Sequence, residues 1–190
     1  MALDINIQLS DEDLEHFISG MQDAQKEAAD LSATEITASA RKLLVQGNEI
    51  ELPDFIASRL SRLNTMIDMA EDEGFGLPEE DRARVLAALT YFADPSDIIP
   101  DSVPVLGFLD DAIMIELCQR ELVHELSAYE EFDAWRRGEA EHRGVDPAEL
   151  KLKRVDWAED RRAHAIELMR QRRSKSYTSG AWAPVLFKPR

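Results

Sequence analysis

The sequence predicts an all-α protein, a helical bundle of five or six helices around a long central helix. Three observations carry this. Only eight glycines and eight prolines punctuate 190 residues, too few turns for a sandwich or barrel of short strands. Apolar residues recur at three- and four-residue steps through most of the chain. Those stripes begin and end at residues that cap helices. A hydrophobic content of 44% against 32% charged residues belongs to a chain that folds around a core.

Leu3, Ile5, Ile7 and Leu9 alternate with polar residues, a period of two that predicts a short terminal strand or an extended arm. Ser10, with Asp11 to Asp13 behind it, caps a first helix whose stripe runs through Leu14, Phe17, Ile18, Met21, Ala24, Ala28 and Leu31. The phase slips after Leu31, and Ser32-Ala-Thr-Glu35 is a capping box. A second helix therefore starts there, with Ile36, Ala40, Leu43 and Leu44 inward and Gly47-Asn48 at its end. One kinked helix is the alternative for this pair. Pro53 opens a third helix with Ile56, Leu60, Leu63, Ile67 and Ala70 on one side, and Gly74-Phe-Gly76 closes it. Pro78-Glu-Glu-Asp opens a fourth, which ends near Ala93 or Asp94 because the residue before Pro95 avoids the α region.

Beyond a proline-rich connection, one long helix is expected from Leu109 to Arg137. It is apolar nearly all round over Ala112 to Cys118, then narrows to Leu122, Leu126, Tyr129 and Phe132, with Gly138 as its stop. Asp146-Pro147-Ala-Glu149 predicts the start of a last helix, through Val155, Ala158, Arg162, Ala165, Ile166 and Met169 to about Arg173. The chain thus reads as a single helical domain over 1–173 and an apolar, basic C-terminal tail over 174–190.

The connection is the most unusual stretch. Between Asp94 and Asp111 it places three prolines, one glycine and five aspartates in eighteen residues. Pro100 and Pro104 stiffen it, and Gly107 is the expected position for a left-handed or closely packed backbone. Asp110 and Asp111 fall in the first turn of the long helix, where carboxylates cap free amides and suit the helix dipole. The rival reading gathers Asp97, Asp101, Asp110 and Asp111 around a divalent cation, since Mg²⁺ and Ca²⁺ take carboxylate oxygens. The spacing is not that of an EF-hand. Capping and turn chemistry account for the aspartates without a ligand, so no cofactor is expected.

The ordered residues Asp94, Pro95, Asp97, Ile99, Pro100, Asp101, Pro104, Gly107, Phe108, Asp110 and Asp111 resemble the motif of the YkvA-like family, domain of unknown function 1232. This is a bacterial domain also found in some eukaryotic RING-finger proteins. The resemblance covers roughly 85–125. It implies a small helical unit with Asp97, Pro100, Asp101, Pro104, Gly107, Asp110 and Asp111 as its motif, and for several members a suspected membrane association. It implies no established activity.

Composition excludes several classes. A lone cysteine, Cys118, rules out an intramolecular disulfide and a zinc ribbon. The first residues lack a basic segment followed by an apolar run, so a cytoplasmic address is expected. Ile98 to Cys118 is long enough to approach a membrane span, but Asp101, Asp110, Asp111 and Glu116 interrupt it, which leaves peripheral contact as the one membrane role. Residues 1–150 hold 11 Lys/Arg against 34 Asp/Glu, and 151–190 hold 11 against 4. Such an acidic body argues against nucleic acid as a partner. The cluster Arg170, Arg172, Arg173 and Lys175 suits the negative end of a helix.

Catalytic constellations are few. Glu121-x-x-His124 and Glu139-x-x-His142 copy the pairs of di-iron carboxylate bundles, but with too little chain between them for two antiparallel core helices. No phosphate loop, nucleophile elbow or H-E-x-x-H is present. The function expected is that of a non-catalytic protein acting by protein–protein interaction or self-association, at the membrane surface in one version. Tyr177, Trp182, Val185, Leu186, Phe187 and the N-terminal arm are the candidate contact elements. The alternative is a metal-dependent enzyme built on the four aspartates.

Overall fold

Two serine-led capping boxes set the first two helices. The structure, a computed structural model, describes residues 8–93, 105–147 and 149–177. Helix α1 (Asp11–Glu27) begins where Ser10 Oγ accepts from the Asp13 N–H at 3.2 Å and the Asp13 carboxylate accepts from the Ser10 N–H at 2.8 Å. Helix α2 (Ala33–Asn48) repeats this with Ser32 and Glu35, at 3.3 and 2.8 Å. Each box satisfies two amides that a helix start leaves bare. The serine hydrogen bonds hold both carboxyls below their ordinary range. A 3-10 turn (Ala28–Asp30) separates the two helices, which are not one kinked helix.

Helix α3 (Asp54–Glu71) follows Pro53, and α4 (Glu79–Leu89) follows Pro78. At a helix start the missing proline donor costs nothing. Between them Asp72 Oδ1 accepts from the Gly74 and Phe75 amides at 2.8 and 3.0 Å. Gly76, at φ 56°, completes the reversal in a region only glycine enters freely. A 3-10 turn (Thr90–Ala93) ends the α4 run where Pro95 predicts.

The predicted long helix is divided. Helix α5 (Leu109–Glu121) stops at Leu122 (φ −101°, ψ 20°), and α6 (Val123–Arg143) begins at the next residue. The Leu122 and Leu126 amides still reach the Cys118 and Leu122 carbonyls, at 2.9 and 3.0 Å, so the break costs little hydrogen bonding. It falls where the apolar surface changes from all-round to one-sided, and it lets Leu122, Leu126 and Tyr129 all bury. Gly138 does not stop α6. The stop is Gly144, at φ 67°, with the Val145 N–H returning to the Ala140 carbonyl at 3.1 Å as in a Schellman cap.

The last helix, α7 (Arg154–Tyr177), starts later than Asp146-Pro147 suggests, where the Lys153 N–H donates to Asp156 Oδ2 at 2.7 Å. It also runs past Arg173, so the expected tail boundary lies inside a helix. Seven α-helices and no strand occur among the described residues, against five or six helices expected; the fold class is all-α. The alternating residues Leu3, Ile5 and Ile7 lie outside the described residues.

The contacts divide the chain into two compact units, 1–131 and 132–190, where the sequence suggests one domain over 1–173. In the first unit α3 packs against α2, α4 and α5. Leu63, Met66, Ile67 and Met69 of α3 are fully buried, as are Val85 and Leu89 of α4 and Ala112 and Ile115 of α5. Arg59 fastens α3 to α5 through Glu116 at 3.0 Å, and Arg120 holds the other Glu116 oxygen at 2.9 Å. The second unit has an aromatic seam, in which Phe132 lies 6.0 Å from Trp135 and 6.2 Å from Trp157. The Trp135 indole donates to Asp160 at 3.2 Å.

Two glycines predict opposite outcomes. A methyl on Gly20, in mid-α1, meets only the Tyr91 ring at 3.7 Å, whereas one on Gly47 comes 2.5 Å from Leu60 Cδ1 and 3.4 Å from Leu52 Cδ1. Gly20→Ala should stabilise by about 0.5–1 kcal/mol. Gly47→Ala should destabilise by about 1–3 kcal/mol through overpacking. Urea unfolding of the two variants checks both signs.

Burial raises the Glu116 carboxyl, but the hydrogen bonds from Arg120 and Arg59 outweigh it and hold the group below its ordinary range. The folded value lies under the unfolded one of about 4.3. Stability from this group is therefore complete above that pH and lost as pH falls through the folded value. Glu116→Gln should cost about 1 kcal/mol at neutral pH. It should also flatten the loss of stability below about pH 4.3; acid-unfolding curves parallel to those of the wild type would refute the assignment.

Candidate functional site

The family-like stretch is built around the head of α5. Asp97, Pro100, Asp101 and Pro104 lie outside the described residues, whereas Gly107, Asp110 and Asp111 are within them. A left-handed or closely packed backbone is expected at Gly107; the positive φ falls on Val105, at φ 69° and ψ −50°, and burial is what Gly107 shows. Gly107 is buried in a 3-10 turn (Leu106–Phe108) that runs straight into α5. A branched side chain in that backbone region costs about 1–3 kcal/mol and persists only where its surroundings hold it. Phe108 is one such hold: it is buried, and its ring edge lies 3.8 Å from where a Gly47 Cβ would stand.

Asp110 and Asp111 occupy the first turn of α5 and are 2% and 4% exposed. Neither is without a partner. Carboxylates this far from water persist only when hydrogen-bonded or ion-paired. Among the described residues no group of three or more His, Cys, Asp or Glu could hold a metal. Of the four proposed metal ligands, the structure describes two, adjacent in sequence on one helix.

The remaining sequence candidates separate. Glu121 ends α5 and His124 belongs to α6, with the Leu122 break between them, and both are exposed. Glu139 and His142 lie within α6, where Glu139 takes an ion pair from Arg143 at 2.8 Å. Cys118 is buried, and burial pushes its thiol up to about 12. A thiol so raised is no nucleophile at neutral pH. Tyr177 is the last residue of α7; Trp182, Val185, Leu186 and Phe187 lie outside the described residues.

Two features were not legible as sites. The first is a cleft of about 420 Å³ between α1, α4 and α5, lined by Phe17, Ile18, Met21, Ala87, Met114 and Leu117. Ile18 is 53% exposed there. On the cleft lining Gln25 donates to the Ala87 carbonyl at 3.3 Å and Arg84 is paired with Glu125. The second is α7. Its apolar residues Val155, Ile166 and Met169 are exposed, Val155 to 66% and Met169 to 51%. At about 100° per residue, Val155, Ile166, Leu168 and Met169 share one half of the helix with Arg162 and Arg172. All four acids of α7 (Asp156, Glu159, Asp160 and Glu167) fall on the other half.

Comparison with known proteins bears on the stretch around α4 and α5. Residues 81–117 match the family described as Protein of unknown function (DUF1232). The chain is 46% identical over 46 residues to a protein of Bacillus subtilis (strain 168) named Uncharacterized membrane protein YkvA. That alignment takes in 24% of this chain and 43% of the relative, so the chain spans less than half of the protein it resembles. No solved structure matches. No helix of the described residues is long and apolar enough to cross a membrane. The similarity to the DUF1232 family and to YkvA is confined to this short segment around α4 and α5.

Proposed function

We propose that the protein is a non-catalytic helical protein that acts by binding another protein, with α7 as its contact element. One observation carries this: a 24-residue helix that leaves Val155, Ile166, Leu168 and Met169 in water on the same face as Arg162 and Arg172. Arginine beside exposed apolar side chains is the composition of a binding face rather than of a solvated one. The basic, apolar arc also favours a second placement, at an anionic membrane surface, to which the name of the Bacillus subtilis relative, a membrane protein, lends support. The metal-dependent alternative has less behind it, because the burial and partnering of Asp110 and Asp111 suit scaffolding.

A photocrosslinker in place of Met169 in the full chain, expressed in cells, should join α7 to protein. No protein adduct at any yield overturns the reading, and flotation with vesicles containing anionic lipid tests the membrane placement. Asp110→Asn and Asp111→Asn should each lower stability by about 1–3 kcal/mol, with the same melting temperature in Mg²⁺, Mn²⁺ or Ca²⁺ as in chelator. A cation-dependent rise in melting temperature that both substitutions abolish would move the assignment to the enzyme.

A further inference from the structure

Resting on the interaction reading, the partner can be named from charge and shape. Residues 1–131 carry 8 Lys/Arg against 29 Asp/Glu, and residues 132–190 carry 14 against 9. Two chains of net charge −16 repel wherever like units meet. Attraction between copies requires the second unit of one to face the first unit of the other.

Each of those units offers one half of a fit. The cleft between α1, α4 and α5 is an apolar groove on the acidic unit. Along α1, Asp11, Glu15, Ile18 and Gln22 follow at three- and four-residue steps, so an exposed acidic row continues the line of the groove. On α5, Glu121 closes the other side and is exposed. The arginine nearest the groove, Arg84, is already neutralised by Glu125. Helix α7 presents the complement: apolar side chains with Arg162 and Arg172 among them, and Asp156, Asp160 and Glu167 on the opposite half. An amphipathic helix laid in an apolar groove is a common recognition mode, read through anchors at i, i+3, i+4 and i+7; Val155, Ala158, Ala165, Leu168 and Met169 have such spacing.

We propose that the groove between α1, α4 and α5 receives α7 of a second copy of this chain, its apolar face seated in the cleft and its arginines on the acidic rim. Every copy carries one groove and one helix. The contact therefore closes as a reciprocal pair or continues as an open chain.

The test is light scattering on the full chain over a range of concentrations and salt. The wild type should reach at least twice the 21.5 kDa of one chain and dissociate about tenfold more readily in high salt, where rim charges are screened. Arg162→Glu with Arg172→Glu should make the chain monomeric, and so should Glu15→Lys with Glu121→Lys. All four positions are exposed, and circular dichroism should be unchanged in both. Combining the four substitutions in one chain restores opposite charges and should restore association. A wild type that is monomeric throughout overturns the proposal. So does an oligomer that neither charge reversal disturbs. Adducts from position 169 to a different protein, with a monomeric purified chain, overturn self-association and leave the interaction reading standing; no protein adduct with a monomeric chain overturns both.

Discussion

Burying two carboxylates at the head of α5 is a cost that the structure around them has to meet. An isolated ionised carboxylate loses several kcal/mol on leaving water, and Asp110 and Asp111 are both almost wholly enclosed. Their position reduces the cost, because a helix start offers free amides and the positive end of its dipole. The same requirement restricts everything nearby. Those amides exist only if α5 begins at Leu109, so the chain must turn sharply into it through Leu106–Phe108. Val105 accepts a left-handed backbone at that turn. Phe108 is buried, and Gly47 lets Leu60 approach α2 more closely than a methyl would allow.

Around this head the core is apolar and its fasteners are charged. Arg59 bridges α3 to Glu116 of α5, and Arg41 of α2 reaches Asp68 and Glu71 of α3 at 3.0 and 2.6 Å. At Glu116 and Glu71 burial opposes the carboxylate's charge and the hydrogen bonds from the guanidiniums outweigh it, holding both carboxyls below their ordinary range. A unit with 29 acids and 8 bases places several of its few arginines where two helices meet. The surplus acids are left on the surface, so solubility and self-repulsion come from the same composition.

Local chemistry was readable from sequence, and tertiary choice was not. Ser10 and Ser32 announce their helices because a capping box involves four consecutive residues and nothing else. The stripe Ile56, Leu60, Leu63, Ile67 and Ala70 buries as its spacing requires. The break at Leu122 has no glycine or proline to mark it; it follows from how two differently apolar halves find their neighbours. Gly138 and Gly144 look alike as helix stops. Only Gly144 takes a positive φ, and Gly138, with nothing within 4 Å of its missing Cβ, is simply tolerated in mid-helix. Asp146-Pro147 has the form of a helix start, yet the Asp156 carboxylate on the Lys153 amide sets the start of α7. The family motif was legible from residue order alone, whereas the cleft was not, since three helices distant in sequence contribute to it.

The distribution of charge on α7 leads one step further. Counting residues shows that the C-terminal portion is basic, but of Arg170, Arg172, Arg173 and Lys175 only Lys175 stands in the last turn of α7, where the dipole accounts for it. The dipole acts within the last turn, and Arg162 lies far outside it. Across its own face the helix offers that residue little, because residues three and four apart are the ones that meet. The positions three and four away from Arg162 on either side are Ala158, Glu159, Ala165 and Ile166, which offer one acid among three apolar side chains. Arg172 has Leu168, Met169 and Lys175 at those steps, and no acid. Arginine in such a setting lays its methylenes along apolar neighbours and leaves the guanidinium pointing outward. Carboxylates on a neighbouring surface are the groups best shaped to meet it, because they accept its fork of donors in pairs.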